Sequence, residues 1–418
     1  MLKKFARFIH GKERGMTITM KKNSRLSKSR QFILLEMVFF LHTGIIGAVY
    51  TLYLLSLGLS LFEANAISAI FNIAAIVFEV PSGAMCDSIG KRKTSLFAGV
   101  TLFLAMLCFL SSVNILVTVM GQVFWGLSYA LESGTIEAWF VNDGALKGNE
   151  LDRVFAASSK IQSVIMIVGS FIGSWLADYS LKFIWLIPCI SSVCFIIMVL
   201  KFVEDKKEIQ PKSSILSLYK TSIKYIKIGG SLIVKNQRIT YLYIFVTLMG
   251  FISSPLMIFW SVYLKQIDSG FSYMYLSVIW VFIQVSIIIG NQILEIIGKY
   301  IKRKKILMVT FLIFGLSILF MNIKNGVMVV IVLICIQEIV WTMICSIQRG
   351  LLNDYIDDQT RTTMISFSSL FNAIGKISAS VLFGFLADSF SILFAWTISG
   401  VLSLFTIWFV HIMYKKLD

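Results

Sequence analysis

Twelve apolar runs, each about 20 residues long, divide this chain and restrict what it can fold into. They lie at 32–56, 63–83, 94–112, 115–140, 156–177, 183–203, 241–264, 272–297, 306–322, 326–348, 363–387 and 390–412. A helix crosses the hydrocarbon core with about 20 apolar residues, whereas a membrane strand needs only about 9–11. In lipid each span must satisfy its own backbone N–H and C=O groups, which a helix does and an isolated strand does not. The chain is 57% hydrophobic and 14% charged, where a soluble domain carries about 25% charged residues. The sequence therefore predicts an all-α integral membrane protein with twelve transmembrane helices.

The formal net charge of +16 would suggest nucleic acid in a soluble protein, but its distribution reads as topology. Lys and Arg crowd the N-terminal arm, from Lys3 to Arg30, and the central segment, from Lys201 to Arg238. More follow span 8, at Lys299 and Lys302 to Lys305, while the alternate loops hold only Lys182, Lys265 and Lys324. This positive-inside bias sets both termini in the cytoplasm and the chain in a cell membrane, expected to be a bacterial inner membrane. No nucleic-acid partner is expected. Residues 1–31 run straight into a full-length span with no small-residue cleavage site, so they read as a basic cytoplasmic arm. Met16 and Met20 are alternative starts.

The longest break between spans, 204–240, separates two groups of six, 32–203 and 241–418. Within it Ile215, Leu218, Tyr219, Ile223 and Ile226 recur at helical spacing beside Lys220, Lys224 and Lys227, as in an interfacial helix. The halves resemble each other weakly in sequence, with three matches in register. Asn142-Asp143 and Asn353-Asp354 are 211 positions apart (353 − 142), as are Lys91-Arg92-Lys93 and Lys302-Arg303-Lys304. Trp175-Leu176-Ala177-Asp178 and Phe385-Leu386-Ala387-Asp388 are 210 apart (388 − 178). Two six-helix repeats with a site between them near the midplane are a transporter architecture. The six cysteines match no metal or disulfide spacing and are expected to be buried small hydrophobes. Neither cofactor nor metal is expected.

Between spans 2 and 3 the chain reads Gly83-Ala84-Met85-Cys86-Asp87-Ser88-Ile89-Gly90-Lys91-Arg92-Lys93, an acid and two glycines ahead of a basic triplet. Glu79-Val80-Pro81-Ser82 precedes it, and Ser133-Gly134-Thr135-Ile136-Glu137-Ala138-Trp139 with Asp143 closes span 4. Across essentially its whole length the chain resembles the major facilitator superfamily, and in these stretches its bacterial drug:proton antiporters. The resemblance implies a facilitator-type fold and a monomeric transporter. It assigns Gly83, Asp87, Gly90, Lys91, Arg92 and Lys93, with Asp143 as partner, to a gating network at the cytoplasmic face. Two departures weaken the antiporter part: Gln122 stands where an Arg often precedes the span 4 glycine, and Gly169-Ser170-Phe171-Ile172-Gly173-Ser174 lacks the expected Pro.

Ionisable groups inside spans cost about 2.5–3.5 kcal/mol each near a helix centre on insertion scales, so they face a cavity or a partner. The acids are Glu36, Glu79, Glu132, Glu137, Glu295 and Glu338, set against one base, Lys376, and one imidazole, His42. Counting residues along each span places Glu36, Glu79, Glu137 and Glu295 in the inner third. There they read as interfacial groups, as partners of the basic loops, or, for Glu79 and Glu137, as binding residues. His42, Glu132, Glu338 and Lys376 fall nearer the midplane, as substrate or proton sites, with Glu338 or Glu132 the counter-ion of Lys376. His42 reads equally as a proton carrier or a hydrogen-bonded core residue. The excess of acids favours cationic or amphiphilic substrates, with aromatics such as Trp125, Tyr129 and Trp260 available to contact them.

The leading expectation is thus a secondary active transporter exchanging protons for amphiphilic or cationic small molecules, an exporter working by alternating access. An uptake symporter or uniporter for a nutrient, and a non-transporting receptor or immunity protein on the same fold, remain alternatives. No phosphate-binding loop or His-Glu-x-x-His motif occurs, which argues against a pump or an enzyme.

Overall fold

A computed structural model describes residues 28–112, 114–141, 149–204, 233, 236–268, 270–323, 326–355 and 361–417. Residues 1–27 of the basic arm, Asn142, Asp143 and nearly all of the 204–240 segment lie outside the described residues, as does the side chain of Asp87.

The described chain is helical throughout. The first half comprises α1 (Lys28–Ile46), α2 (Tyr50–Ser56), α3 (Leu61–Ile89), α4 (Lys91–Leu110), α5 (Ile115–Glu132), α6 (Thr135–Val141), α7 (Asn149–Tyr179) and α8 (Leu186–Phe202). The second comprises α9 (Gln237–Ile267), α10 (Tyr273–Ile297), α11 (Arg303–Phe320), α12 (Val327–Tyr355), α13 (Arg361–Ser389) and α14 (Ile392–Leu417). Among the described residues, eleven spans are long and apolar enough to cross a bilayer. α11 is the twelfth crossing; it opens on the charged run Arg303-Lys304-Lys305 and is apolar from Ile306 onward. α1 with α2, and α5 with α6, each make one broken span. The fold is the facilitator arrangement of two six-helix repeats.

Local chemistry explains the breaks. Gly134 takes φ +74 between α5 and α6, and Gly90 takes φ +93 between α3 and α4, in the region that favours glycine. Gly90 is the single non-helical residue there, so the segment 83–93 is two helix ends rather than the loop expected from its polarity. Helices run past the hydrocarbon into the polar face, where apolar content no longer marks their limits. α12 likewise continues to Tyr355, past the expected end of span 10 at 348.

One face of the bundle carries Lys91 to Lys93, Lys302 to Lys305, Lys415 and Lys416, and we call it the basic face. The opposite, far face carries the N-termini of α3 and α10 and the C-termini of α7 and α13. Exposed Val164, Ile190, Ile197, Ile288, Phe405 and Trp408 form part of an apolar jacket suited to lipid. Around Pro255, Trp396 Nε1 donates to Pro255 O (3.0 Å) and Ser399 Oγ to Ile252 O (2.7 Å), tying α9 to α14. These bonds hold α9 around Pro255 against a neighbouring helix.

The cysteines depart from expectation. Only Cys189 is buried, Cys194 is exposed, and the others are intermediate, all as free thiols. A thiol is a weakly polar small group, so an apolar solvent holds it as readily as a core does.

Candidate functional site

Three span acids of the first half, Glu36, Glu132 and Glu137, gather about one cavity. It has a volume of about 280 Å³ and is lined by Glu36 and Phe40 of α1, Tyr129 and Glu132 of α5, Glu137 of α6, and Ser158 and Gln162 of α7, among others. Glu36 and Glu132 lie side by side, within hydrogen-bonding reach of each other. Gln162 Nε2 donates to Glu36 Oε2 at 2.9 Å. Glu132 is only 5% exposed, whereas Glu137 opens to solvent. Glu79 of α3 is exposed and lies, with Glu132, within electrostatic reach of Tyr129. Ser158 Oγ points into a buried position with no hydrogen-bond partner.

A hydrogen bond between two carboxyl groups requires that one of them carry a proton, because two carboxylates at that distance only repel. A hydrogen bond within the Glu36–Glu132 pair therefore needs one proton shared between the two. Sorting by residue count put these two groups at different depths; the structure overturns that division by bringing them into contact. Span 4 is broken at Ser133-Gly134, so position along the chain does not translate into depth.

His42 has a settled role. Phe39 O accepts from His42 Nδ1 at 2.6 Å, and Trp125 Nε1 donates to His42 Nε2 at 3.0 Å. A carbonyl only accepts and an indole N–H only donates, so the ring is the neutral Nδ1–H tautomer with both nitrogens used. This is the hydrogen-bonded core histidine of the two readings. Beside it, Gln122 Nε2 donates to Tyr50 Oη.

In the second half Glu338 of α12 is 5% exposed and makes no hydrogen bond or ion pair among the described residues. No ion pair joins Lys376 to Glu338 or Glu132, and Lys376 is exposed on α13. The expected counter-ion pairing is therefore absent among the described residues: Glu132 faces Glu36 instead. Cys345 lies within electrostatic reach of Glu338, Arg349 and Lys376. Arg349 escaped the sequence reading because span 10 was ended at 348. Lys160 escaped too, as a second base inside span 5, exposed on α7. Its place in the run 156–177 was the available signal.

At the basic face Gly83 lies within α3, exposed, with open space where a Cβ would stand. Lys91, Arg92 and Lys93 form the first turn of α4, and Arg92 Nη2 donates to Leu200 O of α8 at 2.8 Å. The repeat-related Arg303 pairs with Asp354, joining α11 to α12. Both side chains are about half exposed, so Arg303→Ala is expected to lower stability by under about 1 kcal/mol. Thermal unfolding in detergent checks this, and a larger loss would mean that the pair belongs to a wider network.

Residues 32–347 match the family profile described as Major Facilitator Superfamily. The chain is 24% identical over 362 residues to the uncharacterized MFS-type transporter YxaM of Bacillus subtilis (strain 168), covering 84% of this chain and 86% of that protein. Its structure resembles the nucleoside transporter NupG with a TM-score of 0.76 at 14% identity, over 93% of this chain and 99% of that one. A D-xylose-proton symporter superimposes with a TM-score of 0.69 at 14% identity, over 92% and 97% of the two chains. At such identities these structures speak for the fold alone.

Proposed function

The chain belongs to the Major Facilitator Superfamily, and from that premise we propose that it exports cationic or amphiphilic small molecules in exchange for protons. A membrane transporter is what the family establishes; the substrate class, the coupling and the direction are the proposal. The observation that carries it is the close pair of carboxyl groups, Glu36 and Glu132, inside an acid-lined cavity.

A buried carboxyl group without a cation partner is sustained only by a proton or by a bound cation. A site of this kind holds one or the other. When the two compete for the same oxygens, the site turns from one side of the membrane to the other loaded with a proton in one direction and with a cation in the other. Competition thus produces antiport, and an inward proton gradient drives cations out. Glu79 and Glu137 add negative charge around the cavity, and the Tyr129 face offers a cation–π surface. One shared proton gives one proton per cation, so exchange for a monovalent cation is electroneutral. Each charge moved without compensation would otherwise feel about 2.3 kcal/mol per 100 mV.

The two halves carry the motion by rocking, residues 32–203 against 241–418. The basic triplet Lys91-Arg92-Lys93, with Asp87, Asp143, Gly83 and Gly90, guards the basic face. The pair Arg303–Asp354 supports Arg92–Asp143 as its repeat counterpart, both offsets being 211 (303 − 92 and 354 − 143). We take the basic face as cytoplasmic on the positive-inside bias.

A second reading, proton symport, is favoured by Glu338, which is buried, unpaired among the described residues, and lies in the other half from the acid pair. A proton held there would not compete with a substrate in the first-half cavity. Inside-out vesicles with an imposed pH gradient separate the readings. Lipophilic cations are expected to dissipate the gradient, with no effect of an added membrane potential. Gradient-driven release of substrate in the opposite sense, lost in Glu338→Gln and kept in Glu132→Gln, would replace antiport with symport.

A further inference from the structure

Two aspartates outside the acidic cavity hold the far face together in the same way. Asp178 sits in the last turn of α7. Its carboxylate accepts from Ser272 Oγ at 2.8 Å and from the Tyr273 N–H at 2.9 Å, at the very start of α10. Asp388 sits in the last turn of α13. Its carboxylate accepts from the N–H groups of Leu61 at 2.8 Å and Phe62 at 2.7 Å, at the start of α3. In each case an acid of one half caps a helix of the other half. The first half reaches into the second at one seam, and the second reaches into the first at the other.

The acids belong to the repeated Trp175-Leu176-Ala177-Asp178 and Phe385-Leu386-Ala387-Asp388 segments. The helices they cap, α3 and α10, form the second span of each half. The internal repeat therefore produces the same contact twice. A fifth hydrogen bond between the halves, Ser277 Oγ to Ser170 O at 2.8 Å, joins these four toward the far face. Beside one seam the backbone of α13 at Gly384 approaches α3 so closely that a Cβ there would stand 3.1 Å from Phe62 Cα.

The electrostatics make the contact conditional. The first N–H groups of a helix have no partner within it and form the positive end of its dipole. A carboxylate across the seam answers both, through charge-assisted bonds. At home, however, each aspartate lies at the negative end of its own helix, where a cation is preferred. Asp178 and Asp388 are thus favourable only while the partner helix is docked. Separation of the halves leaves an acid at a helix C-terminus and bare N–H groups at a helix N-terminus, on both sides.

We propose that Asp178 and Asp388 are the paired latch of the far gate, each capping a helix of the opposite half when that gate is closed, and both releasing for it to open. The proposal rests on the alternating-access part of the function above, and on neither the coupling ion nor the substrate.

Hydrogen exchange of the full chain in lipid nanodiscs, without substrate, reads the latch at the amides it caps. Neutralising one acid, as Asp178→Asn or Asp388→Asn, is expected to speed exchange about fivefold, on the scale of a helix-end charge. The increase is expected at both helix starts, 61–64 and 272–275, because opening the gate uncaps both. In the double variant the factors multiply to about 25-fold, since the seams share no partner. A cap with a local role only would move its own segment and leave the other unchanged, and that result overturns the proposal. So does a folded double variant that exchanges as the wild type does. Ser272→Ala removes no charge but two bonds, the one to Asp178 and the cap accepted from the Met274 N–H at 3.1 Å, so it is read at 61–64, where exchange is expected to speed by a smaller factor. Should the aspartate variants not fold, unchanged exchange at 61–64 in Ser272→Ala overturns the proposal as well. No transport is measured, so failure of the antiport reading and failure of the latch give different results.

Discussion

Glu132→Gln is expected to abolish proton-coupled transport while leaving the protein folded and inserted. A glutamine keeps the shape of the side chain and can still hydrogen-bond Glu36. It carries no exchangeable charge, so the cavity loses the group that passes between proton and cation. The loss should be about 100-fold or more, the scale on which a positioned proton carrier is felt. The same competition gives the wild type a defined pH signature. Lowering pH on the loading side adds the competitor, so the apparent KM for a cationic substrate should rise, by up to about tenfold per pH unit, with kcat less affected. In Glu132→Gln that dependence should flatten. A variant that transports with wild-type pH dependence would remove Glu132, and with it the Glu36–Glu132 pair, from the coupling mechanism. Glu36→Gln provides the matching measurement from the other side of the pair, its amide oxygen still able to accept from Gln162.

The fold was legible because lipid leaves few options. Every span must close its own hydrogen bonds, so a run of about 20 apolar residues is already a helix. What hydropathy cannot see is a helix continuing into the polar face, as α12 does beyond 348 and α3 does through Ile89. The acids were legible as a class, since an acid in a span needs a reason to be there. Their grouping was not. The contact between Glu36 and Glu132 depends on how a broken span 4 leans against α1, a tertiary fact with no local signature. His42 shows the same limit: its two readings were separated only by a donor from Trp125, 83 positions away in the chain. Arg349 lies one residue past the expected end of span 10 at 348, and Lys160 lies near the start of span 5, where a base reads as part of the polar face. The latch acids were visible as a repeat, but their register said nothing about what they cap.

Gly173→Ala is expected to be the most damaging single methyl group in the first half. A Cβ at Gly173 would stand 1.8 Å from Ile45 O and 2.7 Å from Ile45 C. These are backbone atoms of α1, so no rotamer change relieves the clash and the helices must separate. Overpacking of a close-packed site costs about 1–3 kcal/mol and more where nothing can yield; here about 3 kcal/mol or more is expected. Gly169→Ala meets Gly44 and Ile45 backbone at 3.0 Å and should cost less. Gly83→Ala meets nothing within 4 Å inside helix α3, and is expected to be neutral or to gain about 0.5–1 kcal/mol from helix propensity. Thermal midpoints in detergent should therefore fall in the order Gly83→Ala, wild type, Gly169→Ala, Gly173→Ala. Separating α1 from α7 also pulls Glu36 away from Gln162 and opens the cavity wall, so whatever Gly173→Ala protein folds should load cations poorly. A Gly173→Ala midpoint equal to wild type would mean that α1 and α7 do not pack this closely, and the geometry assigned to the acid pair would fall with it.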